Sequence, residues 1–552
     1  MSQDATPGRR ETFTAGLSFL VLFVLHLFYA FRWTFDSDEW QHLHVAWAWT
    51  QGLLQYRDVF DNHTPLFHML TAPLVGLFGE TPDIIFLMRL AMTPLFLLTL
   101  GASASIAWSL FGRRAALWTP VVLSAVPVFF FRSIEYRTDA LWMALWVAAV
   151  AVLLAGGVGW VRCLVAGVLL GLAVCTSLKT VLLLFALGMA ALLAPFVARV
   201  KRPGAFLASR AWLVIPALAG AALPIAALLL YFAHRGALGA LVDGAVRHNV
   251  LPGLGNWQTP WRRALFVPEM ALMSLAAAWL ARRHAETRTA HRVAFLALTA
   301  GAFLAALQTL WPLFTTYDLL VFYPLVVPAI VGAMLPVTVA APAHAWRFPA
   351  LAAALLGLVL LGFPPWREEV GDERAFLADV LRLTDRRDFV LDQKGDSIFR
   401  PRPSPYVLER ITRARLALGL LPERFQEDMI ATGTCVAAWR IGRFPDRTLA
   451  FLRDNFLLIG HVRVAGRILI PAASQGDPSG SFDIAIPATY ALVSDGGDVD
   501  GTLDEKPYAG PRRLETGRHT FKVSFRGSRL AVIWSQAAER GFSPFEPGRL
   551  VP

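Results

Sequence analysis

The chain has 552 residues, of which 56% are apolar and only 16% charged, whereas a soluble domain carries about 25% charged side chains. That composition argues against a wholly soluble protein. The deficit is uneven: residues 1–365 hold 24 Lys and Arg and 15 Asp and Glu, and the remaining 187 residues hold 27 and 25. The excess of basic residues, +11 overall, therefore sits mostly among apolar stretches. It reads as loop charge that sets membrane topology, not as a nucleic-acid footprint.

Apolar stretches of about 17–25 residues, the length that spans a bilayer, recur near 13–32, 84–110, 115–134, 139–157, 161–177, 180–198, 211–232, 264–281, 293–311, 318–337 and 348–363. This pattern predicts a polytopic α-helical membrane domain over residues 1–365 with about eleven spans. The first stretch follows Arg9-Arg10 but lacks a small-residue cleavage site, so it reads as an uncleaved helix. Arg113-Arg114, the Arg199 to Arg210 cluster and the Arg282 to Arg292 cluster fall in alternate loops on the side of Arg9-Arg10. The positive-inside rule makes that side cytoplasmic, and an odd number of spans then puts the tail from Trp366 outside.

The first outer loop, 33–83, carries seven carboxylates: Asp36, Asp38, Glu39, Asp58, Asp61, Glu80 and Asp83. Acidic residues contribute little to topology, so their concentration points to a working surface on the outer face. Trp40 to Leu54 reads as an amphipathic helix lying along the membrane, followed by a polar turn from Tyr56 to Pro65. The tail divides into an α/β unit over 366–473, with strands at 388–392 and 434–439, and a small β-rich unit over 474–552. The two are separated by the turn-rich stretch 473–480, and the period-2 alternation beyond it suggests antiparallel strands.

Asp36-Ser37-Asp38-Glu39-Trp40-Gln41-His42-Leu43-His44 packs three carboxylates and two imidazoles into nine residues. On a helix, Asp38 and His42, and also Glu39 and His42, share a face. Crowded carboxylates can act as bases or jointly bind a divalent cation, with Asp38, Glu39 and His42 as the ligand set. The same residues can equally be helix-capping acids, with Asp36 or Ser37 as the cap. Gly167-x-x-x-Gly171 reads as a site of close helix packing. Cys163, Cys175 and Cys435 form no Cys-x-x-Cys pair and no disulfide framework. Walker and dinucleotide-binding loops are absent from the sequence, so a nucleotide-sugar donor lacks support.

An apolar first helix, then Asp38-Glu39, then a surface helix and an acidic-aromatic turn ending in Pro65 resembles the GT-C glycosyltransferases. Within them it is similar to the bacterial protein O-mannosyltransferase and aminoarabinose (lipid A) transferase group. The resemblance implies that Asp38 heads the outer-loop acidic pair and is the general base. Glu39 would orient it or share a cation, and Asp139, in Glu135-Tyr136-Arg137-Thr138-Asp139, would complete the catalytic set. Lys179, between two apolar runs, is the implied contact to a lipid phosphate, with Arg57, His63 and Arg137 as further phosphate-side residues. The sequence departs from the aminoarabinose enzymes at Phe60-Asp61-Asn62-His63-Thr64-Pro65-Leu66, where His63 stands in place of an expected Lys.

The function so implied is sugar transfer from a polyprenyl-phosphate-linked donor to a hydroxyl of a glycan, lipid or protein. It would occur at the outer face of a bacterial cytoplasmic membrane, with inversion at the anomeric carbon. A secondary transporter, or a non-catalytic component of envelope polysaccharide assembly, also accounts for many helices. A transporter, however, predicts charged or broken segments near mid-membrane in both halves, whereas here the acids gather at one face.

Overall fold

The structure, a computed structural model, describes residues 7–255, 259–284, 286–335, 346–470 and 479–545. Most of the predicted 473–480 turn and the end of the predicted 318–337 span lie outside them. The chain forms two compact units. The first comprises residues 1–34, 62–71 and 86–369, and the second comprises 35–61, 72–85 and 370–552.

Among the described residues, six helices are long and apolar enough to cross a membrane: Arg9–Tyr29, Ile84–Phe111, Thr180–Val197, Pro203–His234, Trp261–Arg282 and Thr287–Thr309. The other apolar helices, Leu66–Phe78, Thr138–Leu154, Trp160–Thr176, Tyr323–Met334 and Arg347–Gly362, are shorter. Thr138–Leu154 and Trp160–Thr176 have 17 residues each, the lower end of the roughly 17–25 residues that span a bilayer. Six of the expected eleven spans thus exceed that lower end among the described residues. The expected span 115–134 is two helices, Arg113–Ala125 and Pro127–Arg132, joined at Val126 with ψ 118°. Pro127 causes the break, because the residue before a proline is driven out of the α region.

Within the first unit, small residues set the closest helix contact. Trp160–Thr176 packs on Val214–His234, and a Cβ at Gly167 would lie 2.1 Å from the Ala217 carbonyl oxygen. Gly171 and Gly220 are as tightly opposed, at 2.4 Å from Ala221 O and 2.2 Å from Leu164 O. Only glycine lets the backbones approach this closely. The end of the first helix is closed by Arg89, which is buried and donates to the carbonyls of Ala30, Trp33 and Thr34. Ala30 is the C-cap residue and Trp33 and Thr34 follow the helix, so Arg89 pairs backbone carbonyls of the chain leaving it.

Among the described residues the second unit has the helix Ser37–Thr50 from the first loop, the helix Gly371–Leu383, and eleven strands. The strands are β1 (Val390–Leu391), β2 (Val436–Ala438), β3 (Phe456–Ile459), β4 (Val462–Ile470), β5 (Ser479–Ile484), β6 (Ala488–Ser494), β7 (Val499–Leu503), β8 (Lys506–Pro507), β9 (Arg512–Leu514), β10 (Gly517–Phe525) and β11 (Leu530–Trp534). One sheet has the order β1-β2-β4-β11-β6-β9, with β3 also paired to β4; the other has the order β5-β10-β7-β8. Only β1 and β2 run parallel, Val390 opposite Val436 and Leu391 opposite Ala437. Strands from both sides of the predicted 473/474 boundary thus share one seven-stranded sheet.

Period-2 alternation explains the layering. Ala437, Leu530 and Val532 face a core shared with Phe482, Phe521 and Val523 of the four-stranded sheet. Val436, Ala438, Val462, Val464, Ala531 and Ile533 face the opposite way, against Phe376, Val380 and Leu383 of Gly371–Leu383. The first-loop helix differs from the surface helix predicted for it, since every residue from Glu39 to Ala48 is buried. A helix covered all round is an interior element.

Candidate functional site

In the first unit, Thr138–Leu154 and Thr180–Val197 each begin beside a charge. Asp139 lies in the first turn of one and Lys179 is the N-cap residue of the other. The Lys179 ammonium donates to Asp318 Oδ1 at 2.5 Å, and Asp318 is fully buried. The other oxygen of Asp318 accepts from the backbone N and hydroxyl of Thr315, both at 2.9 Å. This capping box orients Asp318 towards Lys179. Arg137 Nε donates to Asp139 Oδ2 at 3.0 Å, with both side chains buried. Asp139 also interacts electrostatically with Lys179 and His63.

Tyr317 joins this group to a second one. The Arg137 guanidinium carbon lies 3.6 Å from the Tyr317 ring centroid and that of Arg132 lies 4.4 Å from it. Such contacts are attractive because the ring face is negative. Arg132 also donates to the Tyr317 hydroxyl and to Glu135, each at 2.6 Å, and Trp33 Nε1 donates to Glu135 at 3.0 Å. Three cations, Arg132, Arg137 and Lys179, are thus matched with Glu135, Asp139 and Asp318. Arg132 and Lys179 remain 25% and 29% exposed, so two of the three paired cations keep donors that a further acceptor can reach.

Four residues picked out in the sequence, His63, Arg137, Asp139 and Lys179, therefore belong to one charged group in the first unit. Tyr317 and Asp318, which in the sequence fit either a cavity lining or an interfacial tyrosine with a cap, join it, and so does Arg132, which the sequence did not single out. The Tyr317-Asp318 pair at a helix end was the available signal, but a belt tyrosine followed by a capping acid has the same appearance in sequence.

Asp38, Glu39, His42 and Arg57 belong to the second unit. Asp36 caps Ser37–Thr50 by accepting from Asp38 N at 2.9 Å, while Glu39 reaches back to accept from Asp36 N at 3.0 Å. Glu39 is thereby engaged as half of a capping box. Asp38 turns away from it and forms an ion pair with Lys394, whose ammonium also lies 3.4 Å from Ser37 Oγ. With these two carboxylates bound to different partners, Asp38, Glu39 and His42 do not gather as a metal-ligand triplet among the described residues. Arg57 is half exposed and bonded to its neighbour Asp58 at 2.8 and 3.0 Å, which draws its charge to the surface.

Lys394 lies in a buried polar turn, Asp392-Gln393-Lys394-Gly395-Asp396-Ser397, directly after β1. Asp392 organises the turn by accepting from Gly395 N, from Ser397 N and Oγ, and from Arg402 Nε at 2.6–3.0 Å. Against the cost of burial, the Arg402 guanidinium holds the Asp392 carboxyl below the usual carboxylate range. Gly395 has φ +87°, and a Cβ there would meet His44 Cβ at 2.8 Å. The turn therefore seats directly on the first-loop helix, fixed by the bond between His44 Nδ1 and Ile398 O at 2.8 Å. Burial pushes the Lys394 ammonium down to about 8, against the pull of Asp36, Glu409 and Asp396.

Other first-loop acids also take cations from the tail. Glu80 binds Arg386 and Arg400 at 2.8 and 2.9 Å, and Asp83 binds Arg374 at 2.5 Å. Part of the acidity read as a working surface is therefore structural.

No protein-family model matches the chain, and no curated protein matches it by sequence. Similar solved structures do exist. The ArnT of Cupriavidus metallidurans bound to undecaprenyl phosphate superposes with a TM-score of 0.55 at 13% identity, over 81% of this chain and 97% of that one. Its apo form gives 0.48 at 14% identity over the same shares. The archaeal oligosaccharyltransferase AglB of Archaeoglobus fulgidus, in complex with an inhibitory peptide and a dolichol-phosphate, gives 0.41 at 11%, over 78% of this chain and 69% of that one. The first of these shows that the chain shares its fold with that ArnT.

Proposed function

We propose that the protein is a glycosyltransferase that moves a sugar from a polyprenyl-phosphate carrier to an acceptor hydroxyl at the outer face of a bacterial cytoplasmic membrane. The observation that carries this reading is the buried group of Arg132, Arg137 and Lys179 with their carboxylates on the fold shared with ArnT. A leaving lipid phosphate gains charge as the glycosidic bond breaks, and preorganised cations stabilise it in that state. Lys179 and Arg137 take the phosphate in this reading, with His63 beside Asp139 as a further donor.

In the chemical step, the acceptor oxygen bonds to the anomeric carbon from the face opposite the phosphate. The carbon–phosphate oxygen bond breaks, and polyprenyl phosphate leaves with the electron pair. The hydroxyl proton passes to a carboxylate, for which the sequence resemblance nominates Asp38. Such general-base assistance is worth about 10²–10⁴-fold in rate. The outer orientation rests on the alternation of Lys- and Arg-rich loops.

Mass spectrometry of envelope lipids and glycans from cells with the gene, without it, and with Asp38→Asn tests the proposal. A hexosyl or pentosyl mass present only with the intact gene is expected. Identical envelopes in all three strains would overturn it.

A further inference from the structure

The parallel pair β1 and β2 ends at a cavity of about 260 Å³ in the second unit. Crevices beyond the carboxyl ends of parallel strands are recurrent ligand sites. Here the turn after β1 contributes Gln393 and Asp396, the segment after β2 contributes Trp439 and Arg443, and the start of Ser37–Thr50 contributes Trp40. None of these residues was needed to account for the charged group in the first unit.

The lining has two kinds of surface. Trp40 and Trp439, with Phe35 packed edge-on to Trp40 at 5.0 Å, give flat apolar walls. Asp396, Gln393 and Arg443 give a carboxyl, an amide and a guanidinium. Among the described residues, neither the Asp396 carboxyl nor the Arg443 guanidinium is held in a hydrogen bond or ion pair. By contrast Asp392, four residues before Asp396, is saturated by the turn it organises. Asp396 and Arg443 therefore keep donors and acceptors open to a ligand beside the walls of Trp40 and Trp439.

We propose that this cavity is a saccharide-binding subsite that seats one hexose-type ring of the acceptor. A sugar ring presents an apolar C–H face, which suits an aromatic wall, and a rim of hydroxyls that both donate and accept. Ligand sites of about 300 Å³ and upward take small organic molecules, so a single ring matches the space. Burial and the neighbouring Asp392 push the Asp396 carboxyl up to about 7. Near neutrality it can therefore offer an O–H donor as well as an acceptor oxygen, which a hydroxyl satisfies in both directions. A divalent cation would instead need ionised carboxylates free to ligate it, whereas of the other lining acids Glu373 is paired with Arg440 and Asp36 caps Ser37–Thr50.

The inference rests on the glycosyltransferase reading for the word acceptor, but its test does not require transfer. Saturation-transfer NMR on the full-length protein in lipid nanodiscs, without donor, is to be run with glucose, galactose, mannose and N-acetylglucosamine, and separately with magnesium or calcium. At least one sugar is expected to saturate in the millimolar range, and Trp439→Ala and Asp396→Ala should weaken it about tenfold or more. Arg443→Ala alters only an exposed side chain and should weaken it also, so a folding defect in the other variants does not decide the outcome. Absence of saturation by all four sugars, wild-type affinity in Arg443→Ala, or saturable metal binding that Asp396→Ala removes would each overturn it. Saccharide binding without any sugar transfer would refute the proposed function alone, and transfer without saccharide binding would refute this subsite alone.

Discussion

Lys394, three residues beyond the end of β1, forms an ion pair with Asp38 in the first turn of Ser37–Thr50, so the tail and the first loop share a nearly dry charge contact. The ammonium is 7% exposed and the carboxylate 22%. Removing one member of a buried pair costs about 3–5 kcal/mol because the other is left uncompensated, and the partial exposure of Asp38 places Lys394→Ala near the lower end. A fall in the thermal unfolding midpoint is expected, with Lys394→Arg retaining most of the stability. Equal midpoints for wild type and Lys394→Ala would show that the contact contributes nothing.

Lys179→Ala should reduce binding of undecaprenyl phosphate and, because it leaves the fully buried Asp318 carboxylate without its cation, should also lower stability by about 3–5 kcal/mol. Asp318 keeps its two bonds from Thr315, so affinity is compared at a temperature where the variant is folded. A hydrogen bond to a charged group contributes about 1.5–3 kcal/mol, or about 10- to 100-fold in affinity. Direct titration of the lipid into purified protein measures this, and unchanged affinity would remove Lys179 from the phosphate site.

Gly395→Ala is expected to destabilise the second unit more than Gly419→Ala. Both glycines have positive φ, +87° and +67°, but a Cβ at Gly395 meets His44 whereas one at Gly419 meets nothing within 4 Å. Gly419→Ala therefore bears only the left-handed backbone term of about 1–2 kcal/mol, and Gly395→Ala adds a steric one. Chemical denaturation followed through the tail would rank the two.

Asp396 also predicts a pH dependence. Burial and Asp392 raise its folded pKa to about 7, with Arg443, Arg402 and Arg440 opposing, so between about pH 4 and 7 the folded chain holds a proton that the unfolded chain has released. Stability then falls as pH rises through this window. The contribution is fully present below about pH 4 and lost above about 7. In Asp396→Asn the drop should flatten, as measured by unfolding midpoints at pH 4.5, 6 and 7.5. A parallel pH profile in the variant would assign the drop to other groups.

The sequence by itself determined the membrane class, the helical stretches and most of the charged residues that matter. Apolar runs and Lys/Arg placement are one-dimensional signals, and a bilayer imposes them on any chain that spans it. Gly167 and Gly171 were legible for the same reason, since helix contacts in lipid favour small residues at a fixed spacing. Lys179 stood out because a charge at the edge of an apolar run is costly unless it is used, and Asp139 and His63 stood out through the family resemblance.

Only the tertiary structure decided which partner each charge takes. Asp38 meets Lys394, 356 residues away, Lys179 meets Asp318, 139 away, and Glu80 meets Arg400, 320 away. No local period encodes such pairings. The first-loop helix illustrates the same limit: its Trp-rich face suits a membrane surface as well as an interior, and part of what covers it, Lys394, Gly395 and Ile398, comes from the far end of the chain. The cavity beyond β1 and β2 was equally hidden, because it is formed by short segments whose residues become neighbours only when the sheet closes.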